Sequence, residues 1–192
     1  MRNLIFITFL FSTIFTGVVS AQETKTESTG EKYGNTLNLG VGIGYYGYVG
    51  HSMPVLHADY EFNVARNFTL APFITVYSYQ NNYYWGNPNN PYRYYSYRET
   101  VIPIGVKGSY YFDDLLNAGS KWDFYLAGSL GFVYRKTTWE GGYNGETTVI
   151  NTGTSGLYLD AHIGTEYHFN DKVGMFLDLS TGISTFGLAI HM

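Results

Sequence analysis

Apolar residues recur at every second position in eight separate stretches of this chain, and the apolar side of each stretch carries no charge. The clearest spans 122–135. Trp122, Phe124, Leu126, Gly128, Leu130, Phe132 and Tyr134 fall on one side; Asp123, Tyr125, Ala127, Ser129, Gly131, Val133 and Arg135 fall on the other. Period two marks a β-strand whose faces meet different surroundings. A run of about ten such residues, with aromatics toward its ends, is the pattern of a strand with one face in hydrocarbon and the other in a barrel interior.

The same pattern predicts strands over 36–46, 54–62, 68–77, 99–112, 122–135, 157–169, 172–181 and 185–192. Opposite the apolar faces lie Gly40, Gly42 and Gly44 in the first strand, and small, polar and tyrosine residues in the others, with a charge or two per strand. A soluble sandwich would carry frequent charges on its polar faces. A narrow barrel instead needs small side chains to fit a filled interior. The predicted fold is therefore all-β, an eight-stranded antiparallel up-and-down transmembrane barrel, with the last strand pairing the first so that no edge is left.

The intervals between strands alternate in length. Segments 63–67, 113–121 and 170–171 read as turns at one end; 47–53, 78–98, 136–156 and 182–184 read as the connections at the other, and two of these are long. Outer-membrane barrels show this asymmetry, with turns in the periplasm and loops outside. Pro72 and Pro103 fall inside predicted strands. A closed barrel has no free edge to accept a missing N–H, so bulges or gaps in the ladder are expected there.

Composition supports the same address. Charged residues make up 14% of the chain, against about 25% in ordinary soluble proteins. Aromatics are abundant, with 20 Tyr, 13 Phe and 3 Trp. The net charge of −4, without a basic stripe, argues against nucleic-acid binding. The absence of cysteine removes disulfides and thiolate chemistry. Beyond the leader, no segment approaches the roughly 18 apolar residues of a membrane helix. Arg2, the apolar run 4–19 and the small residues Val19-Ser20-Ala21 read as a secretory signal peptide over 1–21. Segment 22–35 is then a periplasmic amino-terminal stretch, and 36–192 is the barrel domain.

The segments Glu99-Thr-Val-Ile-Pro-Ile-Gly-Val-Lys-Gly-Ser-Tyr-Tyr-Phe112 and Trp122-Asp-Phe-Tyr-Leu-Ala-Gly-Ser-Leu-Gly-Phe132, with the leader and the eight alternating runs, resemble the small outer-membrane barrels of Gram-negative bacteria. These are the porin-family proteins of the OmpX-like and OmpA-transmembrane-domain-like group. The resemblance covers nearly all of 22–192 and is architectural. It implies residence in the bacterial outer membrane, contact with lipid and lipopolysaccharide, and delivery by periplasmic chaperones and the barrel-assembly machinery. The chain departs from the group at its last residues: His191-Met192 stand where a terminal Phe or Trp is usual.

Two sets of residues are candidates for function. His57, Asp59, Glu61, Glu99, Lys107, Asp123, Arg135, Asp160, His162, Glu166, His168 and Asp178 share the inward side of the strands. Buried charges must be paired, so an interior polar network is the first reading. Alternate strand residues can also be metal ligands or a base with its orienting carboxylate, which is the alternative. Tyr83, Tyr84, Trp85, Tyr92, Tyr94 and Tyr95 in segment 78–98, and Trp139 and Tyr143 in segment 136–156, form the second set. They read either as a recognition surface for protein, glycan or lipopolysaccharide, or as part of the interfacial aromatic girdle with the strands extended beyond the membrane. Asn144-Gly145 reads as the turn of a projecting hairpin.

Gly42-Ile-Gly-Tyr-Tyr-Gly47 matches a dinucleotide fingerprint in letters only, because no helix follows. No cofactor or metal is expected, and the chain does not read as an enzyme. The expected function is a structural or surface-interaction role through 78–98 and 136–156. The alternatives are passage of small solutes, apolar ones included, as in OmpW-like barrels, and lipid modification as in the outer-membrane acylases, for which His51-Ser52 is the one suggestive pair in the loops.

Overall fold

The structure, a computed structural model, describes residues 35–44, 54–116, 119–139, 141, 143 and 156–192. Eight strands run in chain order: β1 Thr36–Gly44, β2 Pro54–Ala65, β3 Phe68–Asn87, β4 Asn90–Tyr111, β5 Trp122–Trp139, β6 Gly156–Asn170, β7 Val173–Ser180 and β8 Ile183–His191. One helical turn, α1 (Asp113–Leu116), joins β4 to β5. Each strand pairs antiparallel with its neighbours, and β1 pairs with β8 from Thr36↔His191 to Gly44↔Ile183. The barrel is closed. The signal peptide, most of segment 22–35, the His51-Ser52 pair and the Asn144-Gly145 turn lie outside the described residues.

The alternation sorts side chains as the period-two pattern predicts. Leu39, Val41 and Ile43 of β1, Leu126, Leu130 and Phe132 of β5, and Leu157, Leu159 and Ile163 of β6 all face outward and are exposed. An aqueous surface would carry polar side chains here; a continuous ring of Leu, Ile, Val and Phe is the surface of a barrel that sits in hydrocarbon. Inward, Thr36, Asn38, Asp59, Glu61, Lys107, Asp123 and Asp178 are buried. Small residues make room for large ones across the lumen. A Cβ at Gly40 would lie 2.8 Å from the Phe176 ring, and one at Gly164 would lie 2.1 Å from Cζ of Tyr125. The two rings occupy the space those glycines leave, so the interior is packed rather than open.

Both strand prolines are accommodated by gaps in the ladder without a change of register. Between β2 and β3 the pairing jumps from Asp59↔Phe73 to Phe62↔Leu70, leaving Pro72 unpaired on that side while it stays opposite Val106 on the other. Between β3 and β4 it jumps from Ile74↔Ile104 to Tyr77↔Val101, leaving out Pro103, which stays opposite Val133 of β5. The missing N–H costs one local break each, and bulges occur elsewhere, at Asn63/Ala65, Trp85/Asn87 and His168/Asn170.

The predicted loop 78–98 is corrected. It is strand almost throughout, as β3 and β4 stay paired from Ser78↔Thr100 to Trp85↔Arg93. The strands simply outrun the apolar belt, and Asn87↔Asn90 closes the hairpin. β5 likewise continues past Arg135 to Trp139, with Trp139 opposite Tyr97.

Candidate functional site

Three polar clusters fill the lumen, stacked along the barrel axis. The middle one centres on Lys107. Its ammonium donates to Asp59 Oδ2 at 2.9 Å and lies 3.6 Å from Asp178 Oδ2. Each carboxylate is held by a histidine: His57 Nε2 is 2.9 Å from Asp59, and His162 Nδ1 is 2.7 Å from Asp178. Each histidine in turn meets a hydroxyl, Thr75 for His57 and Ser129 for His162, both at 2.8 Å. Tyr125 donates to Asp178 and Asn38 donates to Asp59. The result is two hydroxyl–imidazole–carboxylate relays joined through one lysine.

Ser129, His162 and Asp178 have the contacts of a nucleophile, base and orienting acid. Among the described residues, little room is left beside them. The cavity bounded by His57, Thr75, Lys107, Ser129, His162 and Asp178 measures about 10 Å³, the room of roughly one water. The arrangement can hold charge and order the lumen.

At the loop end, Glu99 accepts from Tyr79 at 2.6 Å and from Arg135 at 3.3 Å. Asp160 accepts from Tyr158, from Thr181 and from the backbone N–H of Ile183. At the turn end, Glu61 accepts from Thr69 and Tyr111. Asp123 is 2.7 Å from His168, and Glu166 is 2.7 Å from His191. The twelve residues expected inside are thus inside, but divided among these groups. Sequence reasoning missed their partners. The inward tyrosines Tyr79, Tyr111, Tyr125 and Tyr158 were not among the candidates, yet each donates its hydroxyl to a carboxylate. The available signal was their parity with the acidic residues.

The second candidate set divides by the same parity. Tyr83, Trp85, Tyr95, Trp139 and Tyr143 pack on one another: Trp139 stacks on Tyr143 at 3.9 Å and 10°, and Tyr143 meets Trp85 and Tyr95 edge-on, each at 5.3 Å. Tyr95 is only 2% exposed, and Arg93 lies 4.4 Å over its ring. Tyr97 packs against Trp139, and burial, then the nearby Glu99 carboxylate, push its phenol above the ordinary value. Tyr84, Tyr92 and Tyr94 face the opposite way. They are 55%, 62% and 69% exposed and touch only at ring-stacking distance, with centroids 5.1–6.0 Å apart.

A polar step separates these three tyrosines from the apolar belt. The apolar outward positions of β3 end at Val76; Ser78, Gln80 and Asn82 follow, and then Tyr84. On β4 the outward Thr100, Arg98 and Ser96 separate Ile102 from Tyr94. Ser96 donates to Asn82 across this polar step. Eight residues from Val76 to Tyr84 span ~27 Å of strand, so the rings stand well clear of the belt.

A closed eight-stranded antiparallel barrel, apolar outside and polar inside, defines the class: a small membrane-spanning β-barrel. No family model matches the chain, and no curated protein matches it. Among solved structures, it is similar to Ail, the attachment invasion locus protein of Yersinia pestis, in complex with the heparin analogue sucrose octasulfate. That likeness has a TM-score of 0.47 at 7% identity and covers 82% of this chain and 99% of that one. A de novo designed transmembrane β-barrel matches with a TM-score of 0.45 at 12% identity, covering 83% and 98%. Ail in a phospholipid bilayer nanodisc matches at 0.37 and 12%, covering 82% and 99%. The class rests on this chain's own closed ladder and outward belt.

Proposed function

We propose that this is an outer-membrane barrel whose task is surface interaction, carried out by the β3–β4 hairpin. Residues 1–21 are its export signal, the turn end faces the periplasm, and the hairpin faces outward from the cell. The observation that carries the reading is the exposed tyrosine strip Tyr84, Tyr92 and Tyr94, held beyond the belt on a rigid paired stem. The opposite face of the same stem is braced by the Trp85–Tyr95–Trp139–Tyr143 cluster. Tyrosine offers large contact area and a hydrogen-bonding hydroxyl at low entropic cost. A pre-ordered strip of three rings fits a glycan or protein surface. The lumen, filled by the Lys107 network, speaks against solute passage, and the single-water cavity beside Ser129 speaks against lipid chemistry.

The test is binding of the refolded protein, in lipid vesicles, to a glycan array and to immobilised extracellular-matrix proteins. Selective binding by the native chain, lost in the triple Tyr84→Ser, Tyr92→Ser, Tyr94→Ser variant with the barrel intact, supports the reading. Binding that survives the triple substitution, or no binding to either array, overturns it.

A further inference from the structure

At the turn end of the lumen, Glu166 and His168 of β6 meet His191 of β8 across the intervening strand β7, at the height of Gly174. One ligand atom from each lies within 4.8 Å of the others. We propose that Glu166, His168 and His191 form a binding site for a divalent transition-metal ion of the zinc class.

The donor set is two imidazole nitrogens and one carboxylate oxygen, which suits zinc with a fourth position left to water. The geometry suits it as well. Ligand atoms on a tetrahedral zinc stand about 3.3 Å apart; Glu166 Oε1 is 2.7 Å from His191 Nε2 and 3.8 Å from His168 Nδ1. Shifts of roughly half an ångström would bring both to that spacing. The imidazole centroids are 5.0 Å apart, and two rings sharing such an ion sit roughly 5 Å apart at ordinary Zn–N lengths.

The ring nitrogens turned away from the site are already engaged. His168 Nε2 is held by Asp123 Oδ2 at 2.7 Å, and His191 Nδ1 by Thr36 Oγ1 at 2.9 Å. This is the arrangement that fixes the tautomer and aim of metal-bound histidines. It leaves His168 Nδ1 and His191 Nε2 directed at Glu166. Gly174 completes the pocket, since a Cβ there would lie 2.2 Å from Glu166 Oε1. The two histidine side chains keep 16% and 17% of their surface accessible, enough for an ion and its water to enter from the turn end. Bound there, the ion ties β6 to β8 next to the β8–β1 seam.

The test uses the tag-free protein refolded in detergent micelles, stripped with chelator and titrated with zinc against a chromogenic chelator. The native barrel is expected to take up one zinc per chain. Glu166→Gln and His191→Gln should each weaken binding at least ~100-fold, and Asp123→Asn and Thr36→Val about 10–100-fold. Unboiled gel mobility checks that each variant is folded. A folded native barrel that takes up no zinc overturns the proposal, as do folded Glu166→Gln and His191→Gln variants that bind like the native chain. Should the variants not fold, cobalt(II) added to the native barrel decides. Intense visible bands of a four-coordinate, nitrogen-ligated ion support the site, and their absence overturns it.

Discussion

Removal of the Lys107 ammonium probes the middle of the lumen directly. Lys107→Met keeps the length and apolar stem of the side chain and deletes one charge from between two buried carboxylates. The contacts are 2.9 Å to Asp59 and 3.6 Å to Asp178, with all three side chains at most 5% exposed. At an effective dielectric constant of about 20, such separations correspond to gross attractions of roughly 6 and 5 kcal/mol. Desolvation of the three ions offsets much of this, so the net worth of the intact triad is small. Breaking it is another matter, because Asp59 and Asp178 are left buried without their cation. That loss is about 3–5 kcal/mol. The measurement is equilibrium urea unfolding of the refolded barrel in lipid vesicles, followed by tryptophan fluorescence and by unboiled gel mobility. The triple variant Lys107→Met, Asp59→Asn, Asp178→Asn removes all three charges and should recover most of the stability. A loss below about 1 kcal/mol in Lys107→Met, or no recovery in the triple variant, would refute the view that Lys107 is the keystone of the network.

Other substitutions test other parts of the structure. Leu130→Arg places a charge on the outward face of β5, between Val106 and Leu159, and should cost about 2–4 kcal/mol in lipid vesicles; an effect near zero would mean that face is not in hydrocarbon. Gly164→Val drives a side chain into the Tyr125 ring and breaks its hydrogen bond to Asp178. A cost of about 1–3 kcal/mol is expected from the overpacking, measured by urea unfolding, and a neutral result would show the lumen to be looser than described. Trp139→Ala removes the ring that stacks on Tyr143 and meets Tyr83 and Tyr97. The hairpin should become a site of limited proteolysis while the unboiled gel band stays that of a folded barrel.

The strand count, the closure and the facing of each side chain were legible because they depend on one local variable, parity along the strand. Leu126 and Asp123 could be assigned to opposite faces with no knowledge of their neighbours. The overhang of β3 and β4 was legible only as one of two readings of segment 78–98, and its pairing was not. Once past the belt both faces are polar or aromatic, and Asn81, Asn82, Gly86 and Pro88 mimic loop composition. Pairing of Tyr83 with Tyr95 and Tyr84 with Tyr94 supplies the order instead. The groupings within the lumen were hidden for a different reason. Asp178 meets Tyr125, and Glu166 meets His191, across an intervening strand and far apart in sequence. Parity places such residues inside without saying at which height or against whom. His191 shows the limit well, since its inward side was evident and its partners were not.

The claim beneath all of this is a closed barrel with its apolar face in lipid. Its most direct test is to refold the chain from urea into phosphatidylcholine vesicles and compare gel mobility with and without boiling. A membrane barrel predicts that the chain floats with the vesicles and that the unboiled band differs in mobility from the boiled one. A chain that stays in the aqueous fraction as a folded monomer, with one mobility before and after boiling, would contradict it.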